Sequence, residues 1–110
     1  MRILLIHQGF PGQFRHLIGA LQARGDELWA ISGPRPQQQI PAGVRYLPYG
    51  LQRGNGRDTF PLASELETKV IRGEAVARVA AQLVEGVVTG SPWRPDLILG
   101  HPGWGEMLFL

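Results

Sequence analysis

The chain contains no cysteine, which excludes disulfides and thiolate metal sites outright. Such a composition suits a reducing cytoplasm. Lysine is nearly absent too: Lys69 is the only one, so arginine carries almost all the positive charge, and the net charge is only +2. The arginines are scattered singly rather than clustered, which argues against a nucleic-acid partner. An electropositive cleft for an anionic ligand stays open. No stretch approaches the roughly 20 apolar residues of a membrane span. The apolar run in Met1–Ile6 is too short for a signal peptide and no small-residue cleavage site accompanies it. The expectation is a soluble, cytoplasmic protein.

Several catalytic signatures are missing as well. Gly-x-Gly-x-x-Gly does not follow the first apolar run, which disfavours a nucleotide-dependent oxidoreductase or epimerase. There is no Gly-Lys-Ser/Thr phosphate loop and no Gly-x-Ser-x-Gly elbow. His7 and His16 lie nine residues apart and His101 is distant, so zinc-ligand spacing is absent and no metal is expected.

What is present alternates in period. Ile3–Ile6 is apolar at every position and rich in branched residues, as in a central strand of a parallel sheet. His7–Gly12 interrupts it with two glycines and a proline. From Gln13, the residues Phe14, Leu17, Ile18 and Leu21 mark one helix face, and Gly25 supplies a C-terminal cap. Leu28–Ser32 and Val44–Pro48 read as strands, separated by a loop over Gly33–Ala42. Gly50–Asp58, polar and glycine-rich, is the best candidate for a mobile segment. A long helix is expected from about Pro61 to Val88, with Leu66, Val70, Val76, Val79, Ala80, Leu83 and Val87 as its apolar stripe and Glu65, Lys69, Arg72 and Glu85 facing water. Asp96–Gly100 reads as another buried strand, and Met107–Leu110 as the first turn of a further helix.

The order β-α-β-β-α-β predicts an α/β fold: a three-layer Rossmann-like half-domain with a mostly parallel four-stranded sheet in order 3-2-1-4. Residues 1–110 are read as one such domain. Ending on Leu-Phe-Leu inside an apolar turn, it is expected to be a piece of a larger protein.

In an open parallel sheet, ligands bind beyond the carboxyl ends of the strands, where neighbouring crossovers leave on opposite faces. With order 3-2-1-4 that crevice lies between strands 1 and 4, bounded by His7–Gln13 and His101–Glu106. Gly9 and Gly12 let backbone approach a ligand, and a helix starting near Gln13 aims free N–H groups at the crevice. A tight strand-to-helix turn would need the same residues. His7 fits a backbone hydrogen bond, His16 an exposed position, and Arg15 a solvated one. In the second loop, His101 stands at a strand tip with a sugar hydroxyl or developing charge within its reach. Trp104 is suited either to stacking on a sugar ring or to packing in the core. Glu106 is placed as a ligand contact or as a surface carboxylate favoured by the helix dipole.

Two stretches carry a resemblance: Met1-Arg-Ile-Leu-Leu-Ile-His-Gln-Gly-Phe-Pro-Gly-Gln-Phe-Arg-His and Arg94-Pro-Asp-Leu-Ile-Leu-Gly-His-Pro-Gly-Trp-Gly-Glu. With Glu67-Thr-Lys-Val-Ile-Arg-Gly-Glu-Ala-Val between them, they resemble the N-terminal domain of family-4 glycosyltransferases. Relatives often have Asn at the position of Gly9. The resemblance implies two Rossmann-like domains (the GT-B architecture), no bound metal, and sugar transfer with retention and no covalent protein intermediate. It further implies an acceptor on the N-terminal domain and a nucleotide-sugar donor, serving as substrate rather than cofactor, held mostly by a C-terminal domain. Gly9 and Gly12 would face the donor diphosphate and His101 the donor sugar, as the catalytic contact; Gln13, Trp104 and Glu106 complete the expected substrate-binding set. The donor-binding carboxylates of the second domain have no counterpart among these residues, so the chain alone is expected to be inactive. A non-catalytic Rossmann-like binding or assembly module is the alternative. An exposed sheet edge and the apolar Met107–Leu110 tail predict self-association, as a dimer.

Overall fold

The computed structural model describes all residues, Met1–Leu110. Its elements are β1 (Arg2–Ile6), α1 (Arg15–Ala23), β2 (Glu27–Ser32), β3 (Val44–Pro48), α2 (Ser64–Glu85) and β4 (Leu97–Gly100). Every strand pairing is parallel and the order is β3-β2-β1-β4, as the alternation of periods predicts.

The sheet lies between two helical layers, which explains why β1 is apolar throughout. Side chains alternate across a strand. Ile3 and Leu5 therefore join Leu28, Ala30 and Val44 beneath Ile18 and Leu21 of α1. Leu4 and Ile6 point the other way, joining Trp29 and Ile31 beneath Ala75, Val76, Ala80 and Leu83 of α2. Leu4 sits opposite both Trp29 and Ile98, so the register carries each apolar row across the sheet. β1 and β2, each covered on both faces and paired along both edges, form the buried centre of the sheet.

The long helix departs from expectation in extent and facing. Pro61–Ala63 form a 3-10 turn, α2 itself runs Ser64–Glu85, and Gly86 ends it with φ 86°. Leu66, Val70 and Val87 are exposed rather than part of the buried stripe. The first turns of α2 carry the 51–60 segment through polar contacts instead. Asn55 Nδ2 donates to Ser64 Oγ at 2.6 Å, Gly56 N–H to Glu67 Oε1 at 2.8 Å, and Arg53 pairs with Glu74 at 3.1 Å. Thr59 Oγ1 also donates to Glu67. The expected mobile segment is thus strapped along the helix.

Two smaller expectations are corrected. Asp96–Gly100 was expected as a buried strand, but β4 has only β1 beside it and Leu97 is exposed. Met107–Leu110 forms a turn rather than a helix, with Leu108 N–H bonded to the Gly105 carbonyl at 3.1 Å. A third feature, Trp93, is buried against Trp29 in an edge-to-face pair and donates its indole N–H to Glu27 at 2.8 Å, fixing the approach to β4. No helix is long and apolar enough to cross a membrane.

Candidate functional site

Parallel strands place all four carboxyl ends on one rim. The β1 connection enters the α1 layer, whereas β4 is reached from the α2 layer, so the β1–β4 boundary is a topological switch point. His7 and His101 both stand at this boundary. Their rings lie 5.5 Å apart at 66°.

Each imidazole is oriented by the glycine two residues on. Gly9 N–H donates to His7 Nδ1 at 2.9 Å, and Gly103 N–H donates to His101 Nδ1 at 3.1 Å. An accepting Nδ1 places the ring proton on Nε2 in the neutral form, leaving Nε2–H as the outward donor. Burial lowers the His7 pKa below 6.5; the positive potential of His101 adds to this, the Glu106 carboxylate opposes it, and Arg35 lowers it least. His7 is therefore neutral at pH 7. Gly12, at φ +46°, abuts that ring: a Cβ there would come within 2.6 Å of His7 Nε2.

Trp104 is 45% exposed and stacks on His101, with centroids 6.1 Å apart at 26°. It presents a ring to solvent rather than packing in the core. Glu106 differs most from expectation. Instead of a surface carboxylate on a helix, it is only 1% exposed and accepts a hydrogen bond from the Tyr49 hydroxyl at 2.9 Å. Burial, with help from this bond, pushes the Tyr49 hydroxyl far above its ordinary pKa, so it remains a donor.

A cleft of about 600 Å³ opens on the α2 side of this pair. His7 and Gly9 line it from the β1 loop, Gly33 and Arg35 from the β2 loop, Tyr49 and Leu51 from the end of β3, and Arg72 from α2, with Trp104 closing the β4 side. Gly9 and Trp104 are thus brought together in the cleft. Gly12 touches it only through His7, while His101 stands behind His7 and Trp104. Gln13 lies exposed in the Gly12–Phe14 turn, away from this wall. His16 is exposed as expected.

Arg35, Tyr49 and Arg72 were missed by sequence reasoning. The rule that ligands gather beyond strand ends applies equally to β2 and β3, and Arg35 lies three residues past the end of β2. Helical spacing assigns Arg72 to the water-facing side, whereas α2 turns it into the cleft wall. Together the cleft offers two guanidinium groups, the His7 imidazole and an aromatic face, and none of its lining residues is acidic. That chemistry suits an anion attached to a ring. No three His, Asp or Glu side chains stand close enough to hold a metal ion.

A family model described as the glycosyl transferase family 4 group matches residues 24–110. The match takes in α2, β4 and the His101–Glu106 loop, and leaves out β1 and the His7–Gln13 loop. No curated protein and no solved structure matches the chain. With the family pattern covering most of its length and the switch-point site lying on the expected fold, the chain belongs to the family-4 glycosyltransferase group.

Proposed function

We propose that residues 1–110 form the acceptor-side, N-terminal part of a cytoplasmic glycosyltransferase that moves a sugar from a nucleotide-sugar donor to an acceptor with retention. The observation that carries this reading is His101 at the switch point, oriented by Gly103 and stacked on an exposed Trp104, beside a cleft lined by arginines. In the transfer, the bond from the anomeric carbon to the diphosphate oxygen breaks and its electron pair leaves with the diphosphate. The acceptor oxygen bonds to the same face, and its proton passes to the departing diphosphate oxygen. No metal or separate cofactor enters this scheme.

The roles follow from position. His101 Nε2–H donates to the donor sugar and stabilises charge as the bond loosens. Backbone at Gly9 and Gly12, with Gln13 beside the start of α1, forms the diphosphate-side wall. Trp104 stacks on a sugar ring. Glu106, being buried, contributes by holding Tyr49 in place rather than by touching substrate. A second α/β domain supplies the opposing wall and most donor contacts, so the chain alone lacks activity.

The test is turnover of UDP- and GDP-sugars by a protein carrying this domain followed by such a second domain. Transfer or donor hydrolysis that His101→Ala reduces at least about a hundredfold, the scale of losing a positioned donor to the transition state, supports the reading. The absence of a carboxylate in the cleft favours one other reading, a non-catalytic binding module. A folded, longer protein that neither binds nor turns over donor supports the module. Self-association through the β4 edge and exposed Leu108, Phe109 and Leu110 is also proposed, and a monomer in light scattering at high concentration counts against it.

A further inference from the structure

We infer that the cleft selects an anionic acceptor, a sugar bearing a phosphate or carboxylate, with Arg35 and Arg72 holding the anion and Trp104 lying against the ring. This rests on the acceptor-side reading of the domain and names the substrate class of that site.

The first support is charge. Arg2, Arg24, Arg45, Arg53 and Arg78 are all paired with carboxylates. Arg15, Arg35, Arg57, Arg72 and Arg94 have no such partner, and of these Arg35 and Arg72 line one concavity with no acidic residue in its wall. Two guanidinium groups in one wall, neither of them in an ion pair, repel one another, and an anion between them relieves that repulsion while accepting charge-assisted hydrogen bonds. Arg72 spends only one long bond on the protein, to the Trp104 carbonyl at 3.5 Å, so most of its fork is available.

The second support is shape. The Arg35 guanidinium lies directly over Gly9, in the space a side chain at position 9 would occupy. Glycine there makes room for the arginine at the floor of the cleft. Arg72 enters from α2 and bonds the backbone of Trp104, so the anion site and the aromatic face are held next to each other.

The experiment is an NMR titration of the ¹⁵N-labelled chain with glucose 6-phosphate, glucuronate and glucose, read at the Trp104 indole and arginine Nε–H signals. At least one anionic sugar is expected to bind about tenfold or more tightly than glucose, and Arg35→Gln and Arg72→Gln each to weaken it about five- to tenfold, the range of a lost charge-assisted contact. The double variant, checked for folding by its amide spectrum, is expected to bind anionic and neutral sugars alike. An anion preference that is absent from the wild-type chain, or that survives in the folded double variant, overturns the inference. So does UDP binding that weakens in step with anionic-sugar binding, since the arginines would then serve the donor diphosphate. Failure of the glycosyltransferase reading shows separately, as no donor turnover by the longer protein.

Discussion

The loops after β1 and β4 use the same local device and are secured by different means. In each, a histidine at the strand end accepts the N–H of a glycine two residues later. Under the first loop lies Ser32, whose hydroxyl reaches the carbonyls of Gln8 and Gly33 at 3.0 and 2.8 Å and accepts from Phe10 N–H at 3.3 Å. Under the second lies Glu106, bonded to Tyr49. Ser32 and Glu106 are both buried, one under each loop. The first tie is neutral and local to adjoining strand ends. The second is ionisable and reaches across the rim to the end of β3. The cleft floor is consequently sensitive to the charge under the second loop, and His7 already registers it.

The largest expected effect comes from breaking the second tie. Glu106→Ala leaves the Tyr49 hydroxyl buried without an acceptor and opens a void, which should cost about 2–4 kcal/mol in urea unfolding. Glu106→Gln keeps an acceptor and should cost about 1 kcal/mol. If both variants lose the same amount, the bond to Tyr49 is not what holds the loop. Breaking the first tie should be milder: Ser32→Ala is expected to cost about 1–2 kcal/mol, because a neutral hydroxyl is replaced and one backbone N–H loses a partner.

Gly12→Ala sharpens the comparison within the first loop. A side chain at φ +46° that presses on the His7 ring should cost about 1 kcal/mol and shift the His7 ring resonances, leaving Trp104 unmoved. A melt unchanged from wild type would show that the ring moves aside freely.

The smallest effect is a pH dependence. His7 titrates below 6.5 when folded and near 6.5 when unfolded, so between those values the unfolded chain binds more protons. Stability should therefore rise with pH through that window and be complete above it; below the window both states carry the proton and this dependence ends. In Glu106→Gln the opposing carboxylate is gone, and the His7 ring-proton titration should move still lower. An unchanged titration would mean that the two loops are not electrostatically coupled.

Much of the fold was legible in the residues. Unbroken apolarity at Ile3–Ile6 required cover on both faces, and the change of period after Gln13 marked the first crossover. Strand order and the two bounding loops followed from those patterns. The facing of α2 was not legible. Leu66 and Val70 keep helical spacing with the buried residues, yet the first turns of α2 carry the 51–60 strap on Ser64, Glu67 and Thr68, leaving these two exposed. Gly73 marks a close approach that spacing does not announce: a Cβ there would meet the Gly105 carbonyl at 2.7 Å. Within the site, His101 and Trp104 stood out because glycine and proline surround them, while Tyr49 and Arg35 sat in unremarked loops.

The sequence by itself determined the alternation of strands and helices, the parallel order 3-2-1-4 and the placement of His7 and His101 at neighbouring strand tips. These follow from local periodicity, chain connectivity and crossover handedness, which are properties of successive residues. Only the tertiary structure decided that Arg35, Tyr49 and Arg72 share one cleft and that Glu106 is buried beneath it. Convergence and desolvation depend on which distant segments pack together. A single residue's neighbours in the chain do not specify the neighbours it meets in space.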